Sequence, residues 1–189
     1  MFPDFQNISG LKLKLLEAVA VCCSLLYTWL LADGNMACWW FAIVGSIIYV
    51  FITFSMGLIA EAVLHFFYLL MAFYGLFNRG SWVEEGVHSS LSAATHALSI
   101  ALLGILTWIS GNLLHKIKGA AVTYLDSFTT LFSFWATWLM VNFYPENWLY
   151  WIGIDAASVV LYLSRRLYLS ALLFFFYTLL AIRGWLLWT

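Results

Sequence analysis

The sequence matches itself without a gap when it is shifted by 109 positions. Residues 28–30 (TWL) align with residues 137–139, and residues 66–68 (FFY) align with residues 175–177. Apolar stretches share letters by chance, but an ungapped diagonal that includes tryptophan and an aromatic triplet exceeds that background. The chain is therefore predicted to contain two copies of one structural unit, which restricts the fold to a repeated architecture.

Seven apolar segments fill most of the chain. Of the 189 residues, 65% are hydrophobic and 9% are charged, whereas soluble domains average about 25% charged residues. A helix needs about 20 apolar residues to cross a bilayer. We therefore predict an all-α integral membrane protein. Its seven transmembrane helices are expected at about residues 13–32, 37–54, 58–78, 88–114, 120–142, 147–164 and 167–188.

The repeat pairs the first three segments with the last three and leaves the fourth as a linker. We predict one membrane domain, with a first three-helix bundle at 13–78, a linker helix at 88–114 and a second bundle at 120–188. Equivalent helices are separated by an even number of crossings, so the two bundles have the same orientation. Parallel repeats of this kind are related by an axis along the membrane normal. Together they are expected to enclose a central crevice.

Lysine and arginine lie mainly on one side of the predicted membrane. Cytoplasmic loops carry an excess of these residues, so the richer side, and with it the N-terminus, is predicted to be cytoplasmic. The net charge of −1 gives no indication of a nucleic-acid partner, and the lipid bilayer is the expected environment. The richer side holds Lys12, Lys14, Lys116, Lys118, Arg165 and Arg166, and the other side holds Arg79 and Arg183.

Residues 146–155 (ENWLYWIGID) put polar and aromatic groups where a lipid-facing helix would carry leucine or valine. In a helix, Asn147, Trp148, Trp151 and Asp155 lie on one stripe, because they are spaced by three and four residues. Asp155 falls near the middle of the hydrocarbon core, where a carboxylate costs roughly 2.5–3.5 kcal/mol on insertion scales. Such groups normally face a bundle interior or a wet cavity. We therefore predict that this stripe lines a substrate site.

The repeat extends the predicted site to other helices. The second and sixth segments are equivalent, so the first bundle contributes from the position that matches Trp148. The third helix of each bundle is expected to close the crevice with one tyrosine, and the fifth segment to approach with two residues. These further candidates are Trp39, Tyr68, Tyr177, Thr137 and Trp138.

Several of these residues also fit a purely structural role. Trp39 and Trp148 lie near helix starts, where tryptophan often anchors a helix at the membrane interface. Asp155 also fits a helix lock, paired with a histidine or a hydroxyl group. His65 and His96 lie within segments and fit either a proton relay or a hydrogen bond between helices. The residues alone leave these alternatives open.

The sequence carries no motif for catalysis, a metal or a cofactor. It contains neither HExxH nor GxSxG, and no nucleophile has a base beside it. Cys22, Cys23 and Cys38 are interpreted as small apolar residues, not as a disulfide or a metal site. We therefore expect a protein that is not an enzyme and binds no cofactor. An intramembrane enzyme and a substrate-binding subunit of a larger complex are the alternatives from other classes.

Residues 146–185 (ENWLYWIGIDAASVVLYLSRRLYLSALLFFFYTLLAIRGW) resemble the Pnu family of bacterial vitamin transporters. Residues 35–49 (NMACWWFAIVGSIIY) resemble the first half of the same family. The resemblance implies a 3+1+3 arrangement related to the SWEET sugar transporters, often assembled as a homotrimer. It also implies facilitated diffusion of an unphosphorylated vitamin across the bacterial inner membrane, followed by trapping through a cytoplasmic kinase. The best-known branch of the family carries nicotinamide riboside.

Three departures from the family pattern concern the substrate more than the fold. The first bundle ends in FYGLFNRG, Arg165 and Arg166 replace a common Lys-Gly pair, and residues 136–138 read ATW where some relatives have a glutamine. Relatives in the family carry thiamine or riboflavin, so both are alternatives to nicotinamide riboside. Nicotinamide riboside and thiamine each contain a cationic aromatic ring, which tryptophan faces attract by about 0.5–2 kcal/mol. In either case Trp148 or Trp151 is expected to stack on the ring.

Overall fold

The computed structural model describes residues 10–55, 59–78, 90–118, 123–164 and 168–189. Within these ranges the chain is all-α, which confirms the prediction of a seven-helix fold. The observed bounds differ from the predicted ones by a few residues at most positions. The helices are α1 (Gly10–Ala32), α2 (Cys38–Ser55), α3 (Ile59–Phe77), α4 (Ala93–Lys118), α5 (Thr123–Val141), α6 (Asn147–Ser164) and α7 (Tyr168–Trp188).

The linker helix α4 begins later than the sequence predicts. Ser92 stands just before the helix, and its hydroxyl accepts a hydrogen bond from the backbone N–H of Thr95 at 3.1 Å. This is an N-cap, which satisfies an amide that has no partner inside the helix. Helix α4 therefore starts at Ala93 instead of near residue 88, which lies outside the described residues.

Four of these helices are long and apolar enough to cross a membrane by themselves. They are the stretches Leu13–Ala32, Cys38–Ser55, Ala93–Leu113 and Ser170–Trp188, and Ala62–Phe77 is a shorter apolar helix. A protein with several such helices is a multi-pass membrane protein. Arg79, Arg165 and Arg166, on which the predicted orientation depends, lie outside the described residues.

The chain divides into two compact units, Met1–Ser81 and Trp82–Thr189. In the first unit, α2 packs against both α1 and α3. In the second unit, α4 packs against α5, α5 against α6, and α6 against α7. The linker helix thus belongs to the same compact unit as the second bundle. How the two units combine stays a prediction.

The internal repeat extends to the backbone conformation. The turn after α1 has Gly34 at φ 68°, and the equivalent turn after α5 has Phe143 at φ 61°. A left-handed residue just after a helix, followed by an amide that reaches back to the last turn, is a Schellman motif. The returning bonds run from the Asn35 N–H to the Leu30 carbonyl (2.8 Å) and from the Tyr144 N–H to the Leu139 carbonyl (3.0 Å).

Candidate functional site

The turn between α5 and α6 sets the position of the ENWLYW segment. Because Phe143 is left-handed, the chain reverses within a few residues and α6 begins at Asn147. Pro145 has no N–H to continue α5, and its carbonyl accepts the Trp148 N–H at 3.1 Å. The Asn147 side chain also donates from Nδ2 to the Tyr144 carbonyl at 2.7 Å. The first turn of α6 is therefore held by both backbone and side chain.

The polar stripe of α6 faces the interior of the second unit. Asn147 is 0% exposed, Trp148 1% and Asp155 5%, and Ser158 is also buried. Trp151 is partly buried and packs against the apolar cluster of Phe132, Ala136 and Ile154. The stripe that the sequence predicts to line a site is thus an inward-facing one. Its residues lie at spacings of three and four along α6, as the helix period requires.

Three polar atoms of this stripe are buried without a hydrogen-bond partner in the described part of the chain. They are Oδ1 of Asn147, which is an acceptor, and the indole Nε1 atoms of Trp148 and Trp151, which are donors. Buried polar atoms are nearly always paired, and leaving one unpaired costs about 1–3 kcal/mol. Such atoms need an explanation, and a ligand with both donors and acceptors supplies one.

Asp155 brings a carboxylate into the same interior. Within the described residues it makes no hydrogen bond and no ion pair, although the neighbouring Ser158 hydroxyl donates to the Ile154 carbonyl at 2.9 Å. A helix lock would need a histidine or hydroxyl partner for this carboxylate. The described side chains provide none, so the geometry favours a group that is available to a ligand.

Trp148 and Trp39 have equivalent packing in the two units. A Cβ atom built on Gly75 would lie 2.5 Å from the Trp39 ring, and one built on Gly184 would overlap the Trp148 ring in the same way. Both indoles therefore fit against a helix where only glycine leaves room. Trp148 also makes an edge contact with Trp188, with ring centroids 5.4 Å apart. These two candidates thus lie in helix–helix contacts of their own units.

The two candidates on α5 differ in exposure. Thr137 is buried and its hydroxyl donates to the Ser133 carbonyl at 2.7 Å, so its hydrogen atom is already used within the helix. Trp138 is 42% exposed and stacks between Trp135 and Tyr144, at centroid distances of 5.1 and 6.0 Å. The outer part of α5 therefore carries an aromatic surface next to the turn that begins α6.

The candidate tyrosines on α3 and α7 make matching ring contacts. Tyr68 meets His65 edge-on at 5.7 Å, and Tyr177 meets Phe174 edge-on at 5.9 Å. His65 and Phe174 are equivalent positions of the repeat, so each tyrosine has the same local geometry. A substrate contact of either tyrosine stays a prediction.

Sequence reasoning did not predict a polar cluster where α6 begins. His96 of α4 lies 2.9 Å from the Tyr150 hydroxyl through Nδ1, and 3.9 Å from Glu146 Oε1 through Nε2. The hydroxyl of Ser90 donates to the same Glu146 oxygen. Glu146 and Tyr150 are spaced by one helical turn, and this spacing is the one sequence signal that points to the cluster. His96 lies 54 positions before Tyr150 and is similarly far from Glu146.

Comparisons with known proteins find transporters of similar sequence and fold. Over 142 residues the chain is 26% identical to "Nicotinamide riboside transporter PnuC" of Haemophilus influenzae, which covers 70% of this chain and 62% of that protein. The chain thus spans less than two thirds of the length of this curated relative. In fold it resembles the structure titled "Crystal structure of the Vitamin B3 transporter PnuC". That match has a TM-score of 0.71 and 22% identity, and it covers 93% of this chain and 80% of the other.

The family model described as "Nicotinamide mononucleotide transporter" matches residues 14–189, which is nearly the whole chain. The match includes the polar stripe of α6 and both copies of the repeat. Family and relatives alike are described as transporters, in agreement with the prediction that the protein is not an enzyme. The chain belongs to the nicotinamide mononucleotide transporter family.

Proposed function

We propose that this protein carries nicotinamide riboside across the bacterial inner membrane, with its substrate site on the inward stripe of α6. The observation that carries the proposal is the Asp155 carboxylate, buried in a transporter fold without a partner among the described residues. A buried carboxyl group in such a place favours a cationic ligand, because the ligand supplies the counter-charge that its ionised form lacks. The nicotinamide ring of the riboside is permanently cationic.

Charge also favours the riboside over the mononucleotide named in the family description. A phosphate monoester adds about −1.5 to −2 charge at pH 7 and is usually bound by arginine or lysine. Among the buried side chains of α6, the one ionisable group is the acidic Asp155. A stripe with this chemistry opposes a phosphate, so the unphosphorylated molecule is the better fit.

Three residues of α6 have complementary roles in the proposed site. Trp151 offers an aromatic face to the cationic ring, an attraction of about 0.5–2 kcal/mol that is largest when the pair is desolvated. The free Oδ1 of Asn147 accepts from an amide or a ribose hydroxyl. Asp155 balances the charge or accepts from a hydroxyl. Trp148, Trp39, Thr137, Trp138, Tyr68 and Tyr177 complete the set of proposed site residues.

Transport is proposed to occur by facilitated diffusion. The protein alternates between outward-open and inward-open forms, and a cytoplasmic kinase phosphorylates the riboside so that it cannot leave. The N-terminus is proposed to be cytoplasmic, because most lysine and arginine residues are predicted to lie on the same side as the N-terminus. A homotrimer is the proposed assembly, on the basis of the family resemblance.

Uptake into liposomes that contain the purified protein tests the proposal. Labelled nicotinamide riboside is expected to enter without an ion gradient and to stop at equal concentrations on both sides. Nicotinamide mononucleotide, thiamine and riboflavin are offered in parallel as competitors. Saturable entry of thiamine or the mononucleotide, but not of the riboside, would reassign the substrate. Binding of the riboside without entry would instead identify a substrate-binding subunit.

A further inference from the structure

A chain of polar contacts connects the linker helix α4 to the beginning of α6. It runs from the Ser90 hydroxyl to Glu146 Oε1, then across 3.9 Å to His96 Nε2, and from His96 Nδ1 to the Tyr150 hydroxyl at 2.9 Å. Ser90 precedes α4, His96 lies in its first turns, and Glu146 and Tyr150 flank the first turn of α6. The side chains of His96 and Glu146 are 19% and 14% exposed, so water screens the pair only in part.

The first unit has no counterpart of these contacts. The positions equivalent to Glu146 and Tyr150 are Ala37 and Phe41, which can neither carry charge nor hydrogen-bond through a side chain. In other respects the turn before α2 and the turn before α6 match, because they have equivalent backbone hydrogen bonds. The polar chain is therefore a specific addition to the unit that also carries Asn147, Trp151 and Asp155.

Two atoms in this series of polar contacts lack a hydrogen-bond partner. His96 Nε2 and Glu146 Oε2 are buried and have no hydrogen-bond partner in the described residues. The distance of 3.9 Å between His96 Nε2 and Glu146 Oε1 is too long for a hydrogen bond, by about 1 Å. A small approach of α4 to α6 would close this gap. It becomes favourable when His96 is protonated, because both ring nitrogens then donate and the ring attracts the carboxylate.

We infer that His96 and Glu146 are a positioning pair for the substrate site, and that protonation of His96 tightens the hold of α4 on α6. Tyr150 connects this pair to the substrate site, because it is hydrogen-bonded to His96 and directly precedes Trp151 in the sequence. Trp151 packs against Phe132, Ala136 and Ile154, so a rotation of α6 at Tyr150 moves the indole within that cluster.

The ionisable groups near the pair come from three helices. Among the described residues, His96 of α4 faces the pair, and the Ser90 hydroxyl does so from the segment before α4. Helix α5 presents Phe128, Phe132 and Trp135 to this region, and none of them ionises.

The other two helices contribute one charged group each near this level. From α6 the facing groups are Glu146 and Tyr150, while Asp155 lies more than one turn beyond Tyr150. From α7 the charged group is Arg183, next to the glycine that packs on Trp148, and arginine keeps its charge across this pH range. The sign follows from the charges, because a protonated imidazole attracts the Glu146 carboxylate and a neutral one does not.

The expected effect on substrate binding rests on the proposed function. It is measured as the Kd of nicotinamide riboside at about pH 5.5 and about pH 8. These values lie on either side of the pH range in which histidine side chains usually change charge. In the native protein, Kd is expected to weaken by about threefold to tenfold at the higher pH, as for a partly exposed charged contact. His96→Gln and Glu146→Gln are each expected to remove this pH dependence. His115→Gln, an exposed histidine at the other end of α4, is the matched control and should keep it.

A second measurement is independent of the substrate. The unfolding temperatures of the native protein, the two single variants and the double variant in detergent form a double-mutant cycle at each pH. Coupling between the two positions is expected at the lower pH and should fall at the higher one. A His96→Gln protein with the native pH profile of Kd would overturn the proposal. If the native protein binds no riboside, the proposed function fails, and a cycle without coupling would overturn the positioning pair as well.

Discussion

Asp155 is the residue whose substitution best separates a substrate contact from a structural one. Asp155→Asn keeps the shape of the side chain and removes its charge. If the carboxylate balances a cationic substrate, the Kd of nicotinamide riboside should rise about tenfold or more, as for other hydrogen bonds to charged groups. Since a buried carboxylate without a partner is unfavourable, the unfolding temperature should stay the same or rise. Calorimetric titration and thermal unfolding in detergent measure the two effects.

The control for this charge removal lies in the same unit. Asp126→Asn changes a partly exposed carboxylate in the first turn of α5 and should leave the riboside affinity unchanged. An Asp155→Asn protein that bound the riboside normally but unfolded at a lower temperature would assign Asp155 to helix locking.

At the scale of single residues, the sequence predicts the polar stripe but not every role within it. A carboxylate and an asparagine in an apolar helix stand out by hydropathy alone, which is why Asn147 and Asp155 could be placed in the interior. The packing of Trp148 depends on how closely α7 approaches at Gly184, and spacing along α6 carries no information on that. The contact of His96 with Tyr150 joins distant positions with no shared period, so no local pattern predicts it.

At the scale of helices, the paired tryptophan–glycine contacts hold α2 to α3 and α6 to α7. Gly184→Ala would place a methyl group inside the space of the Trp148 ring, and Gly75→Ala would do the same at Trp39. Overpacking of this kind typically costs about 1–3 kcal/mol. We expect both variants to unfold at lower temperature than the native protein, which thermal unfolding in detergent measures directly.

Matched glycines on other faces give the control. A Cβ atom at Gly153 or Gly104 would meet nothing within 4 Å. Because alanine is favoured over glycine in a helix by up to about 1 kcal/mol, Gly153→Ala and Gly104→Ala should be neutral or stabilising. Equal losses in all four variants would mean that the tryptophan contacts are not the cause.

Helix positions were more predictable than the turns between them. Long apolar runs bounded by Asp33, Pro145 and similar breaks specify α1, α2 and α6 to within a few residues. Gly34 suits a left-handed turn, but Phe143 does not, since a bulky residue at positive φ is strained. Burial of the Phe143 ring offsets the conformational strain of its backbone, since burying a phenylalanine side chain stabilises a protein by about 1.5–3 kcal/mol. That compensation is tertiary and leaves no local signal.

At the scale of the whole molecule, the number of membrane crossings determines whether the proposed substrate site lies within the membrane. By length and composition, α5 and α6 are not among the four helices that qualify as spans on their own. Helix α6 nevertheless aligns along its full length with α2, which does qualify, and its polar side chains are covered by neighbouring helices. A helix whose polar face is buried in protein can cross a bilayer that its average hydropathy alone would not favour.

We therefore expect α5 and α6 to cross the membrane, which reporter fusions after residues 78, 118, 144 and 164 would establish. Alkaline phosphatase is active only outside the cytoplasm, and green fluorescent protein fluoresces only inside it. With a cytoplasmic N-terminus, the phosphatase should be active after residues 78 and 144, and fluorescence should appear after residues 118 and 164. Activity of the same reporter after 144 and 164 would show that α6 does not cross. The Asp155 carboxylate would then lie outside the hydrocarbon core, and the argument for a cation site at mid-membrane would fail with it.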